Sequence, residues 1–325
     1  MNEIRLAARI GEKDATEMRK AYCQCMMEMA ERDPRIVALD ADLMSAMGMK
    51  PFAEKYPNQM VDCGIQEANM IGVACGLAVQ GKIPFAHTFA PFCTRRACDQ
   101  IFLSAAYNRA NVKIIGSDPG ITAAYNGGTH MPFEDMGIMR GIPTMTVIEP
   151  TDITMLKALL PQMAATEGVM YMRLVRKDVK KVYEPGSTFD IGKAALLRPG
   201  RDVMLIASGY CVSEALTAAD MLQQEGIKAG VIDMFTWKPL DTEAVLKAAA
   251  VCGTVVTAEN HNVINGLGAA VAEVLVQNHP VPMEMVGVKD EFGEVGPVSY
   301  LRERFGLTAE SIAAAARRAV MRKDT

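Results

Sequence analysis

The chain has 325 residues, 50% of them hydrophobic and 22% charged, which is long for one core and implies two globular domains. Its 34 basic and 38 acidic residues leave a net charge of −4 with no basic cluster, arguing against a nucleic-acid partner. No apolar run approaches the roughly 20 residues of a membrane span, and Met1-Asn-Glu-Ile-Arg-Leu6 lacks the apolar core of a signal peptide, so a cytoplasmic protein is expected.

Taken in order, Asp14-Ala-Thr-Glu17 has the pattern of a capping box before a helix over 19–31. Strands are expected over 35–42 and 60–63, then a helix opening at Glu67, a strand over 84–88, a helix over 92–107 and a strand over 112–117. A glycine-rich loop over 118–129 leads to a short helix near 133–139. A strand, a helix and a strand over 144–175 complete the first unit. Charge then concentrates in Arg176-Lys-Asp-Val-Lys-Lys-Val-Tyr-Glu-Pro-Gly186, which reads as a connector. The second unit alternates strands over 203–207, 229–234, 254–259 and 283–288 with helices, and Thr308 caps the last of these. This alternation predicts an α/β protein of two doubly wound domains with largely parallel sheets, over 1–185 and 186–325. The eight cysteines form no Cys-x-x-Cys pair and read as reduced, mostly buried thiols rather than metal ligands.

One stretch organises the rest: Val61-Asp-Cys-Gly-Ile-Gln-Glu67-Ala-Asn-Met70, a strand end and glycine turn followed by a lone acid at a helix start. By itself Glu67 reads more readily as a charge favoured at a helix start by the helix dipole than as a site residue. Phe89 and Phe92 share a helical face and, without context, read as core. His130 follows paired glycines in a loop, where a site role is more natural than a buried structural one. The Gly266-Leu-Gly268 turn opens a helix, but a lone Gly-x-Gly is weak evidence of a nucleotide site.

These motifs resemble the transketolase family of thiamine-diphosphate enzymes. The likeness rests on Arg19-Lys-Ala-Tyr22, Leu39-Asp-Ala-Asp42, Ile65-Gln-Glu67-Ala-Asn-Met70, Thr88-Phe-Ala-Pro-Phe92 with Thr94-Arg-Arg96, Gly127-Gly-Thr-His130 and Lys238-Pro-Leu-Asp241. It spans nearly the whole chain and matches a pyrimidine-binding domain followed by a carboxy-terminal domain. The family's Gly-Asp-Gly motif, which holds magnesium and the diphosphate, does not occur in the sequence. The resemblance therefore implies the carboxy-terminal subunit of a split transketolase. An amino-terminal subunit would supply the missing half and the Mg2+ ligands, so no metal ligand is assigned to this chain. A heterotetramer with two copies of each chain is expected.

The same resemblance assigns roles. Glu67 would activate the aminopyrimidine of thiamine diphosphate, Ile65 would wedge beneath the cofactor, Phe89 and Phe92 would stack on it, and Asp42 would lie near it. Arg19 and Arg176 would clamp the substrate's terminal phosphate, a task suited to a planar charged fork. His130 would bind donor hydroxyls and move protons, and His261 would contribute at a subunit interface. The implied reaction transfers a two-carbon ketol unit from a ketose to an aldose. Alternatives are the beta subunit of a 2-oxo acid dehydrogenase and a non-catalytic scaffolding subunit. Two positions depart from the family. Asp118 stands where a phosphate-side histidine is usual, and Asn126 replaces a hydroxyl-reading acid. A carboxylate ~4 Å from a phosphate costs about 4 kcal/mol per charge pair at an effective dielectric of ~20. A substrate other than the common pentose phosphates is expected, unless Asp118 turns to pair with Arg176 or Arg19.

Overall fold

A computed structural model describes residues 3–323. Its strands are β1 (Ile36–Asp40), β2 (Met60–Asp62), β3 (Ile83–Phe89), β4 (Lys113–Ser117), β5 (Thr146–Ile148), β6 (Met170–Leu174), β7 (Ala195–Arg198), β8 (Val203–Ala207), β9 (Ala229–Asp233), β10 (Thr236–Lys238), β11 (Val255–Asn262) and β12 (Met283–Val288). They form a seven-stranded sheet, β10-β5-β6-β4-β3-β1-β2, and a five-stranded sheet, β12-β11-β8-β9-β7. Only β10 and β7 run antiparallel to their neighbours. The expected pair of doubly wound, largely parallel sheets is what the chain forms.

Every residue of β1, β3, β4 and β6 is buried, as strands covered on both faces must be. Alternate residues serve opposite layers. Phe85 and Ile115 pack with Tyr22, Met26, Leu156 and Leu160 of the helices Met18–Arg32 and Ile153–Ala165. Ala86 and Ile114 face Met70, Ile71, Ile101 and Ala105 on the other side.

Several local expectations needed correction. Asp14 does not cap the first helix: its carboxylate accepts from Thr16 N at 3.0 Å, while the N-cap residue Glu17 makes no side-chain cap. The single helix expected over 92–107 is instead two wide π-helical segments, Phe92–Arg96 and Ile101–Tyr107, around a short α-helical turn. The Thr94 hydroxyl donates to the Ala90 carbonyl at 2.6 Å, competing with the regular ladder at that turn. Thr308 does cap the last helix, accepting from Ser311 N at 3.2 Å.

The segment over 176–186 is less a free connector than a tied one. It bridges the amino-terminal segment at Leu6–Tyr183 and Lys13–Lys180, and Asp152 accepts from Val182 N and Tyr183 N at 2.9 and 2.7 Å. The two sheets are further laced by β10, which leaves the second unit to pair with β5 of the first. Among the described residues no helix is long and apolar enough to cross a membrane. All eight cysteines are free thiols.

Candidate active site

The carboxyl ends of the parallel strands β1, β3 and β4 lie side by side in the sheet, and the carboxyl ends of strands are the usual location of a site in a parallel α/β layer. Glu67 begins the helix Glu67–Val79 and is only 4% exposed. Its Oε1 accepts from Arg96 Nη1 at 2.7 Å. The guanidinium carbon of Arg96 lies 3.9 Å from the centre of the Phe92 ring, within cation–π distance. Phe92 and Phe89 tilt against each other at 5.7 Å, and the His130 ring meets them edge-on at 5.1 and 6.2 Å. Glu67, Phe89, Phe92 and His130, dispersed in sequence, therefore form one continuous cluster. Ile65, two residues before Glu67, is 68% exposed, a large apolar side chain projecting from the turn beside it.

The adjacent Arg95 and Arg96 of the Thr94-Arg-Arg96 motif have different partners. Arg95 donates to the Thr129 carbonyl at 2.8 Å and pairs with Glu134 at 3.1 Å, so it pins the loop that carries His130. Arg96 points to Glu67. The His130 Nδ1 lies 2.8 Å from Thr129 Oγ1.

Arg19 and Arg176, far apart in sequence, are backbone neighbours: Arg19 N donates to Arg176 O at 3.0 Å. The Arg19 guanidinium is held by Glu17 and by the Ala46 carbonyl, both at 2.9 Å. Arg176 lies 5.1 Å over the Phe89 ring and pairs with Asp118 Oδ1 at 2.9 Å. Asp118 is 1% exposed and adopts a φ of 60°. Burial raises its pKa, opposed by the Arg176 charge and a 2.9 Å hydrogen bond from Ser117. The pairing that would relieve a clash with an anionic substrate is thus present. Asn126 is exposed at the end of the 3-10 segment Gly120–Asn126, and it lines with Asp118, Arg176 and Lys177 a cavity of about 520 Å3.

Asp42 stands apart. It is exposed with a φ of 60°, and its backbone N–H bonds Asp62 Oδ1 at 3.2 Å. Asp40 is the buried acid of β1, 3.0 Å from His87 Nε2. His87 Nδ1 in turn faces the Tyr22 hydroxyl at 3.5 Å, which makes this histidine a core group.

Sequence reasoning missed how far the second unit builds the site. Asn260 of β11 accepts from Ile121 N at 3.0 Å and donates to Pro119 O at 3.1 Å, clamping the loop that follows Asp118. A Cβ on Gly120 would sit 2.1 Å from Asn260 Oδ1, so the loop needs glycine there. Ile121, Met131 and Phe133 pack with Leu301, Phe305 and Leu307 in a separate apolar cluster. A Cβ on Gly128 would meet Gly293 O at 2.2 Å, which explains one of the paired glycines before His130. No local signal marks these contacts, because both partners read as ordinary loop or helix residues.

Behind the loop lies a buried polar seam. Arg173, fully buried, pairs with Asp135 and Glu149 at 3.0 Å and donates to Asn260 O at 2.9 Å. Tyr171 donates to Asp135 at 2.7 Å, and Ser208 to Glu149 at 2.6 Å. His261, expected nearer a subunit surface, is fully buried here, accepting from Gly137 N at 3.2 Å. Burial drives its pKa down to about 4. The Gly266-Leu-Gly268 turn binds the chain's own Glu259, whose carboxyl accepts from Leu267 N and Gly268 N at 2.6 and 2.9 Å. Among the described residues no group of three or more His, Cys, Asp or Glu side chains is placed to hold a metal ion.

Residues 14–181 match the family "Transketolase, pyrimidine binding domain", and residues 192–312 match "Transketolase, C-terminal domain". The chain is 53% identical to 6-deoxy-6-sulfo-D-fructose transketolase subunit SqwH of Clostridium sp. (strain MSTE9), across 94% of its own length and 95% of the relative's. It is 36% identical to an apulose-4-phosphate transketolase subunit of Phocaeicola vulgatus, across 90% and 94% of the two chains. A solved split gene transketolase, described as an inactive beta4 tetramer, superposes with a TM-score of 0.89 and 42% identity, covering 94% of this chain and 99% of that one. The chain belongs to the transketolase family, among the subunits of its split members.

Proposed function

We propose that this chain is the carboxy-terminal subunit of a two-chain transketolase, moving a two-carbon ketol unit from a ketose to an aldose. The observation that carries the reading is the buried Glu67 carboxyl joined through Arg96 to the Phe92 ring, with Phe89 and His130 packed beside that ring. Relatives of nearly the same length are named as transketolase subunits, which favours this reading over a 2-oxo acid dehydrogenase subunit or a scaffold. We take the domains as 1–185 and 186–325, with the second unit holding the substrate loop through Asn260 as well as serving assembly.

Thiamine diphosphate, on which the family depends, fits the donor set: one carboxyl able to share a proton, an aromatic platform, and an exposed apolar side chain. Bound there, it would supply a carbon nucleophile for chemistry at the ketose carbonyl. Glu67 would hold the aminopyrimidine ring nitrogen and share its proton, Phe89 and Phe92 would bear the ring face, and Ile65 would fill the bend beneath it. Asp42 is retained as a peripheral contact at the subunit junction. His130, with Asn126, would bind donor hydroxyls and shuttle a proton during carbon–carbon cleavage. The diphosphate and its Mg2+ would be held by the amino-terminal subunit, in a cytoplasmic heterotetramer of two copies of each chain.

For the substrate's far end, Arg19 and Arg176 are the anion-binding pair, but Glu17 and Asp118 already offset much of their charge. A phosphate ester carries about −1.5 to −2 at neutral pH. A singly charged terminal group, such as the sulfonate in the relative's named substrate, matches this balance better. The test combines the chain with the product of a neighbouring reading frame carrying Gly-Asp-Gly, and compares kcat/KM for 6-deoxy-6-sulfofructose with that for xylulose 5-phosphate. Preference for the sulfonate supports the assignment. Efficient use of the pentose phosphate, at roughly 10⁵ M⁻¹s⁻¹ or above, with no gain on Asp118→His, rejects it. Micromolar cofactor binding by this chain alone contradicts the two-chain arrangement.

A further inference from the structure

The Glu67 carboxyl has one side-chain partner, Arg96, and that partner also covers the Phe92 ring. A flat ring that contacts the Phe92 face and Glu67 Oε1 together needs the volume that the guanidinium fills. At 3.9 Å from the ring centre, the guanidinium already sits at stacking distance, leaving no room for a second layer between. Its own chemistry suits a stand-in: it is planar, stacks on aromatics and donates to a carboxylate, as a protonated aminopyrimidine edge would.

We propose that Arg96 is a displaceable internal occupant of the aminopyrimidine site, latching Glu67 until the cofactor enters. The latch rests on the reading of this cluster as a thiamine-diphosphate site. The local build supports movement of this arginine and not of its neighbour. Both side chains are partly exposed, at 41% and 49%, but Arg95 is fixed at two polar points, Thr129 O and Glu134, whereas Arg96 has the single polar anchor Glu67 among the described residues. It ends the π-helical turn Phe92–Arg96, so it can swing into solvent without unpacking Cys93 or Thr94, which are buried on the other side. Swinging away trades a hydrogen bond to Glu67 for water, while the cofactor replaces both contacts that Arg96 gives up. A latch of this kind raises the apparent dissociation constant in inverse proportion to the fraction of molecules that are unlatched. It acts on the free state alone, so it slows association and leaves dissociation unchanged.

The experiment uses the complex with the partner chain and titrates thiamine diphosphate with magnesium, by calorimetry for affinity and by stopped-flow circular dichroism for rates. Arg96→Ala is expected to lower the dissociation constant on the order of tenfold, carried by faster association. Arg96→Lys, which keeps a cation for Glu67 but not a flat stacking group, is expected to fall between, and it decides the matter if the alanine variant does not fold. Unchanged or weaker binding in a folded variant overturns the latch, as does an affinity gain carried by slower dissociation. Failure of the unsubstituted complex to bind the cofactor at all refutes the underlying cofactor reading instead.

Discussion

Two arginine–carboxylate contacts in this molecule share their chemistry and differ in what surrounds them. Arg173 is fully buried and meets two carboxylates and a carbonyl. Burial alone would loosen its proton, but the charges of Asp135 and Glu149 outweigh that and hold it more tightly than usual. Arg96 meets one carboxylate, half in solvent, on an open aromatic face. The first contact is costly to break because each charge would be left unpaired in a low-dielectric interior. The second can be exchanged for water or a ligand. Exposure, not residue type, separates a fixed strut from a movable contact.

The largest expected effect strikes the strut. Arg173→Met should lower stability by roughly 3–5 kcal/mol by leaving Asp135 and Glu149 buried and unpaired. Urea unfolding of the full chain checks it, and a loss under about 1 kcal/mol, the range of an exposed pair, would erase the contrast. At the open contact, Glu67→Gln should preserve stability but reduce turnover of the complex roughly a hundredfold or more, since an amide cannot share a proton. Exchange of the cofactor C2 proton with deuterium reads that step, and an unaltered rate would remove Glu67 from it. Phe92→Ala should weaken cofactor binding by about 1–3 kcal/mol with little change in folding, measured calorimetrically.

The smallest effect sharpens the contrast through pH. Buried His261 has a pKa lowered from 6.5 to about 4 by desolvation, so the unfolded chain binds its proton first as pH falls. Its contribution is fully present above pH 6.5 and lost as pH falls towards 4. Glu259, pushed up by burial from 4.5 to about 8, acts oppositely, its contribution being lost as pH rises between those values. His261→Gln should therefore flatten the decline in melting temperature between pH 6.5 and about 4. An unchanged acid limb would assign that decline to other groups.

Much of this was legible in the linear chain. Period-two and continuous apolar runs placed most strands, because β1, β3, β4 and β6 are buried on both faces and so admit little else. The motifs around Glu67, Phe92 and His130 were visible as well, since each is a short run. β7 and β10 were not: four and three residues carry no readable period, and β10 is a strand only because β5 offers it an edge. The capping box failed for a related reason, Asp14 finding a nearer amide at Thr16.

What the sequence by itself determined is most of the elements and the short motifs that carry the candidate site residues, because local propensity and burial pattern act over a few residues. What only the tertiary structure decided is who meets whom. Asp118 turns into Arg176, Arg96 lies between Phe92 and Glu67, and Asn260 reaches from the second unit to fasten the loop at Pro119 and Ile121. Those pairings join residues up to 141 positions apart. Their choice is set by the packing of the two sheets and the desolvation of each charge, neither of which any short window of sequence contains.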